Sequence, residues 1–321
     1  MQLIRTLSTF LFVCQFMALT AQVHSFKNFG LDKKEFPSRI ECINQGVNGE
    51  LYIGTLAGLV VYDGENFRQI TEAEGLGENA VSAIGVKDEF VWIGHWAGSV
   101  TIYNAKDASV DVIDLREALN FSSIVCIEPV SKTSGLLVSK EGKVYMYSES
   151  GLEQILIEAN TANEKVLSII SDSTAYYVIT NHGIYKTTVE GSFAVWETIF
   201  HTDLELTCTS FLQTNQWAVG TTSGGYMLQV DSRELLPIGV GLELGRIVSI
   251  LQDQEEFLWV GTAEKGVVKY HPITKKIETI KRDNGLSYNQ VRTLFMDREG
   301  IVWIATVAGL DQYLGQAFIL F

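Results

Sequence analysis

One string recurs from residue 51 to the end of the chain. It consists of a large apolar residue, a second apolar residue, Gly, Thr, two or three variable positions, Gly, and then an alternating strand. It reads LYIGTLAGLVVYDG at 51–64, VWIGHWAGSVTIYNA at 91–105 and LLVSKEGKVYMYS at 136–148. It continues as YYVITNHGIYKTT at 176–188, WAVGTTSGGYMLQVD at 217–231, LWVGTAEKGVVKYHP at 258–272 and VWIATVAGLDQYLG at 302–315. The second residue serves as an anchor, giving Tyr52, Trp92, Leu137, Tyr177, Ala218, Trp259 and Trp303, spaced 40, 45, 40, 41, 41 and 44 apart. Self-similarity at a period of about 42 residues means that one supersecondary unit is repeated and stacked on its neighbours.

Each unit reads as four short strands. An apolar β-branched run such as Ile247–Ile250 or Val291–Leu294 comes first, followed by a turn marked by Asn48-Gly49, Asp88-Glu89 or Asp297–Gly300. The anchor strand is next, then a period-two strand such as Gly58–Tyr62, then a last strand such as Phe67–Ile70 or Ile277–Ile280. No stretch holds a 3.6-residue period over three turns. Four strands per unit at this period predict an all-β, seven-bladed β-propeller with four antiparallel strands per blade. A β-sandwich would need seven coincidental matches, and a β-helix a shorter period. The ends leave one question open. Tyr62–Ile70 aligns without a gap on Tyr313–Phe321, yet Phe26–Phe29 also reads as an outer strand, so two segments compete for one slot.

The strings WIGT-x-x-GL-x-x-Y and GL-x-x-N-x-V-x-x-I resemble the two-component regulator propeller repeat. They are clearest in Asn284–Val291 with Asp297–Ile304, and in Glu74–Val81 with Val91–Gly94; the resemblance covers about residues 26–321 and is weakest in blades 3 and 4. It implies an extracytoplasmic sensor region of Bacteroidetes-type two-component systems, whose ligands are commonly oligosaccharides. Such sensors carry two propellers, a β-sandwich, a membrane helix and a kinase, whereas this sequence holds one propeller's worth of repeats. A sensor fragment, a decayed sensor gene and a free-standing exported propeller all fit. The partners implied are an oligosaccharide or other small ligand, and a sensor kinase or second propeller region.

The charge balance is 24 − 38 = −14 with no long run of either sign, which disfavours phosphate backbones and anionic lipid. Residues 1–22 read as a secretory signal peptide: Arg5, an apolar run over 7–20, then small residues. That leaves 23–321 as the mature propeller, periplasmic or secreted. No later segment reaches the ~20 apolar residues of a membrane span. Cys42, Cys126 and Cys208 remain. The first two fall where other blades carry Ala83, Ser168, Ser249 and Thr293, and the blade-5 match is either Cys208 or Ser210. Three free, buried thiols acting as small fillers are expected.

Chemistry is sparse. The five histidines form no HxH or HxxxH pair, and no GxSxG, Walker loop, CxxC or EF-hand loop occurs, so no metal or cofactor is implied. An exported lyase or glycosidase is the alternative function, with carboxylates Asp88, Glu89, Glu255, Glu256 and Glu264 to draw on. The first four fall in inner turns, and Glu264 alone makes no acid/base pair. The Trp anchors align with Leu and Ala in other blades, which argues for packing between blades. The sequon Asn120-Phe-Ser122 is read as incidental, because the resemblance is to bacterial proteins.

The candidate ligand site lies on the face where the second-to-third-strand loops meet the loops leading into each blade. It gathers His95, Trp96, His182, Glu264 and Lys265 from the former, and Arg39, Lys165, Arg246, Tyr288, Asn289 and Arg292 from the latter. Arg39, Lys165 and Arg246 each precede a first strand, nearest the channel mouth. Guanidinium forks suit carboxylate, sulfate or vicinal hydroxyls, and Trp96 and Tyr288 offer stacking faces. The bland alternative is a set of solvated loop charges neutralising nearby carboxylates.

Overall fold

The computed structural model describes residues 22–30, 36–155, 164–172, 175–188, 196–213 and 215–318. Among these, twenty-eight strands form seven four-stranded antiparallel sheets. Two 3₁₀ turns, Glu72–Glu74 and Arg282–Asn284, are the only helices among the described residues. In blade 1 the strands are Ile40–Gln45, Leu51–Thr55, Gly58–Tyr62 and Phe67–Ile70. Blades 2 to 6 repeat the order with first strands at Val81–Lys87, Ile124–Pro129, Val166–Ser171, Leu206–Gln213 and Ile247–Gln252.

Blade 7 settles the question of the ends. Val291–Met296, Val302–Thr306 and Gly309–Phe318 are followed by Gln22–Gly30, which runs antiparallel to the third strand from Gln22 opposite Phe318 to Gly30 opposite Gly309. The aligned C-terminal segment therefore does not turn to form a fourth strand. In blade 1, Asp63 ends the third strand because its Oδ1 accepts from Glu65 N (2.9 Å) and Asn66 N (2.7 Å). Blade 7 has Leu314 there, without an acceptor, and the strand continues through a bulge at Ser25/Phe26. Of the expected leader, residues 1–21 lie outside the described residues, and Gln22 is the first residue of the closing strand.

The anchors pack between blades, as their variability implied. Trp303 shares a buried cluster with Ile53, Tyr52 with Ile93, Trp92 with Leu137, and Leu136 with Val178. Tyr177 with Val219, Ala218 with Val260, and Trp259 with Ile304 complete the ring. Period-two alternation explains the pattern: the anchor faces the following blade, and the next residue faces the preceding one. The blade-3 anchor is Leu136, not Leu137. Cys126 opposes Val138 as Cys42 opposes Gly54, and without the Gly-Thr pair the sequence alignment slipped by one residue.

Asp253 and Asp297 fix two anchors, each accepting from an indole Nε1 six residues on (Trp259 and Trp303, both 2.7 Å). The shorter blade-2 turn has no such Asp, and Trp92 Nε1 is buried without a partner among the described residues.

Every first strand carries a bulge one residue in, at Glu41, Ser82, Val125, Leu167, Thr207, Val248 and Arg292. The residue after the bulge is Cys42, Ala83, Cys126, Ser168, Cys208, Ser249 or Thr293, so Cys208 rather than Ser210 occupies the small-residue position. All three cysteines are free and half-buried as residues, with their thiols turned inward. A Cβ on Gly54 would lie 2.5 Å from Cys42 Sγ, and one on Gly220 would lie 2.6 Å from Cys208 Sγ. Burial pushes the thiols up to about 12 for Cys42, 11 for Cys126 and 12 for Cys208. Native protein is therefore expected to react with a thiol reagent orders of magnitude more slowly than unfolded protein. Comparable rates, or a disulfide in a peptide mass map, would count against inert thiols.

Candidate functional site

Seven equivalent hydrogen bonds build the upper face. In each blade the residue just past the second strand donates its N–H to the carbonyl just before the first strand. Leu56 donates to Arg39, Trp96 to Ala80, Lys140 to Ser123, Asn181 to Lys165, Thr222 to Glu205, Ala263 to Arg246 and Val307 to Gln290, at 2.8–3.3 Å. Both sets of loops therefore emerge on one face, as the topology of the repeat required. Arg39, Lys165 and Arg246 are structurally equivalent, sharing their ring with Ala80, Ser123, Glu205 and Gln290.

Several expected ligand residues are committed elsewhere. His95 is fully buried, at 0% exposure. It takes the place of the repeat's Thr, whose Oγ1 closes the hairpin onto a carbonyl, as in Thr55 to Gly58 O and Thr262 to Gly266 O (both 2.8 Å). The imidazole Nε2 instead lies 2.8 Å from Thr101 Oγ1, and Nδ1 has no partner among the described residues. Desolvation lowers its pKa from 6.5 to about 4, partly opposed by Glu78.

Arg39 and Arg292 both bind Glu41, Arg39 through Nε and Arg292 through Nη2 at 2.7 Å. Glu41 and Arg292 are the bulge residues of blades 1 and 7, so the pair spans the closing seam, and neither cation is spare. Asn289 is a turn fastener: its Oδ1 accepts from Arg282 N (2.8 Å), as Asn79 Oδ1 accepts from Glu72 N (2.9 Å). In the GL-x-x-N motif, Leu76 and Leu286 are buried and the Asn fixes the 3₁₀ turn, so the motif encodes architecture. Lys265 Nζ donates to Glu243 O. Glu264 is exposed, and His182 is half-buried with its N–H on Thr180 Oγ1.

Trp96, Lys165, Arg246 and Tyr288 remain on the open face. Trp96 is 40% exposed and Tyr288 43%. Lys165 and Arg246 are exposed and form no ion pair among the described residues. Trp96 belongs to an arc the sequence only half revealed. The Lys140 ammonium lies 5.7 Å from its ring centroid. The Lys165 stem lies over the same blade-3 loop, since a Cβ on Gly142 would come 2.5 Å from its Cγ.

Glu78 holds the Trp96 loop in place, accepting from Ala97 N (2.8 Å), Ser99 N (3.0 Å) and Ser99 Oγ (2.6 Å). Between blades 2 and 3 stands Phe121, 64% exposed on left-handed backbone (φ 54°) that follows Asn120 (φ 53°). Its N–H is held by Arg116 O at 2.7 Å. Two signals in the sequence marked these missed residues. Lys140 stands at the repeat position of Trp96, and Phe121 at that of Tyr288 in the lead-in loop.

The carboxylates weighed for catalysis behave as turn residues, with Asp88 at φ 51° and Glu256 at φ 65°. Among the described residues no group of three His, Cys, Asp or Glu could hold a metal, and no helix is long and apolar enough to cross a membrane.

No curated protein matches the chain in sequence. The two component regulator propeller family matches residues 285–308, which include Gly285-Leu286, Asn289 and the Trp303 strand. The Gly-Leu and Asn elements return at Gly75-Leu76 and Asn79, and the Trp303 strand has a counterpart in every other blade. Residues 285–308 are thus similar to a two component regulator propeller repeat. The propeller as a whole is similar in structure to the extracellular domain of BT4673 of B. thetaiotaomicron, described as a hybrid two component system. They share 20% identity and a TM-score of 0.72, over 90% of this chain and 40% of the other.

The extracellular domain of BT3049 from the same bacterium gives 16% identity and a TM-score of 0.70, over 90% and 42%. A streptogramin B lyase gives 11% and 0.70, over 92% and 98%. At these identities the likeness is one of fold. The chain spans about two fifths of the length of the two Bacteroides domains.

Proposed function

We propose that this propeller is the ligand-binding region of an exported sensor and takes an oligosaccharide, acidic sugars included, on its upper face. The observation that carries this reading is the arc over blades 2 to 4. An exposed indole at Trp96, the Lys140 ammonium above it and Lys165, exposed and without an ion pair among the described residues, suit a sugar ring bearing a carboxylate or sulfate. Cations gathered on a chain of net charge −14 favour an anionic ligand. The similarity to sensor extracellular domains supports reception, with a second propeller or kinase region as the partner that transmits it. The carboxylates weighed for catalysis serve as turn residues, with Asp88 and Glu256 on left-handed backbone, which favours binding over lyase or glycosidase action.

Calorimetry against a panel of acidic oligosaccharides tests the reading. Trp96→Ala is expected to weaken binding about tenfold, the loss of one stacking contact. Lys140→Ala and Lys165→Ala should each weaken it a few-fold and flatten its salt dependence. Arg39→Ala, already tied to Glu41, should change affinity little. Unchanged affinity in the first three variants with the fold intact places the site elsewhere, and cleavage of the panel sugars returns the enzyme alternative.

A further inference from the structure

At four blade interfaces an anchor ring meets a tyrosine of the next blade's third strand. Trp303 meets Tyr62 at 5.7 Å between centroids, Tyr52 meets Tyr103 at 6.0 Å, Trp92 meets Tyr147 at 6.2 Å, and Trp259 meets Tyr313 at 4.8 Å. Tyr62, Tyr103 and Tyr147 each lie opposite the residue that precedes their own blade's anchor. Tyr270 holds that register position in blade 6, opposite Leu258. The anchor facing it, however, is Ala218. The tyrosine half of the ring pair is present and its partner ring is missing.

A groove of about 760 Å³ opens at this interface, lined from Gln252 and the turn residues Glu256 and Ile273 to Val240 in the loop leading into blade 6, and away from the arc over blades 2 to 4. Its floor includes Leu212, Met227 and Tyr270, and its rim includes Val240 and Ile273, which are 78% and 75% exposed. Met227 opposes Ala218 in the sheet, the place Lys269 holds opposite Trp259 in blade 6. The equivalent cleft between blades 6 and 7 is about 350 Å³ and is lined by the Trp259 and Tyr313 rings. The size falls in the usual range of small-molecule sites, and apolar rims this exposed mark a surface that is covered in use. The mouth also carries charge: Lys275, a lining residue, sets its ammonium 5.8 Å from the centre of the Tyr270 ring. Glu256 is the one carboxylate among the lining residues.

We propose that the groove between blades 5 and 6 binds a small aromatic acid, its planar ring taking the place of the missing anchor ring and its anionic group meeting Lys275. The site is separate from the arc over blades 2 to 4, so its failure would leave the proposed saccharide site untouched. Saturation-transfer NMR and calorimetry with indole-3-acetate, indole and tryptamine test it on the intact propeller. Indole-3-acetate is expected to bind with one site, indole several-fold more weakly, and tryptamine least.

Ala218→Trp supplies the ring that three other blades carry and is expected to lower affinity at least tenfold. Ile273→Arg, a change at an exposed rim position, should do the same without touching the core, and Lys275→Glu should remove the preference for the acid. Absence of binding by all three compounds at millimolar concentration overturns the proposal. So does tighter binding of tryptamine than of the acid. Unchanged affinity in folded Ala218→Trp overturns it too, or unchanged affinity in Ile273→Arg if the first variant does not fold.

Discussion

Removal of residues 1–30 is expected to abolish the cooperative melting transition of the ring. Gln22–Gly30 supplies the whole outer strand of blade 7, nine residues in register with Gly309–Phe318. Without it the third strand presents an open edge, with its backbone donors and acceptors unpaired. Phe29 is the fastener. It is 5% exposed and packs on Tyr62 and Phe67 of blade 1 (5.8 and 5.0 Å) and on Trp303 of blade 7 (6.1 Å). Phe29→Ala alone should cost about 3–5 kcal/mol, a large share of the roughly 5–15 kcal/mol that holds a domain folded. Denaturant melts of the two variants check this. A truncated protein that melts as sharply as the full chain would show that the other six blades suffice, and partial rescue by a peptide of residues 22–30 would confirm the slot.

The second large effect is on pH dependence. Buried His95 has a folded pKa of about 4 against 6.5 unfolded, so above pH 6.5 both states hold it neutral and stability is complete. As pH falls from 6.5 toward 4, the unfolded chain takes up a proton that the folded chain refuses. Stability then drops by about 1.4 kcal/mol per unit, to a total of about 3 kcal/mol. His95→Thr restores the residue found at positions 55, 262 and 306 and should lose this component while keeping whatever the carboxylates contribute. Melting temperatures of the two proteins should converge near neutral pH and separate below 6, with the variant the more stable. Parallel curves would mean that the imidazole is protonated in the fold.

The blades were legible because each strand repeats a local pattern: apolar alternation, a turn acceptor, a glycine at the hairpin. What escaped was set by contacts that no local pattern carries. Glu41 and Arg292 are 251 residues apart and meet only because the ring closes, so two cations that looked available from sequence share one carboxylate. His95 looked like a loop-tip ligand, yet the slot it fills belongs to a buried hydroxyl. Leu136 was displaced by one residue because blade 3 lacks the Gly-Thr that marks the register elsewhere. On the upper face, Trp96 was visible as an aromatic in a loop. Lys140 and Lys165 joined it only once neighbouring blades were laid side by side. The ends stayed open in the sequence because both segments carry strand-forming residues, and the choice rests on a turn that Leu314 cannot make.

The seam has a consequence for how the molecule is made. Gln22 leaves the ribosome almost 300 residues before its partner, Phe318. Six blades can assemble from neighbours in sequence as they emerge. The first-made strand must instead wait, unpaired, until the last blade exists, and closing so long a loop is slow. During that interval both Gln22–Gly30 and the edge of Gly309–Phe318 can pair with another chain. The junction that closes the ring is then also its most exposed one in a nascent chain, and a holding factor would act there to most effect.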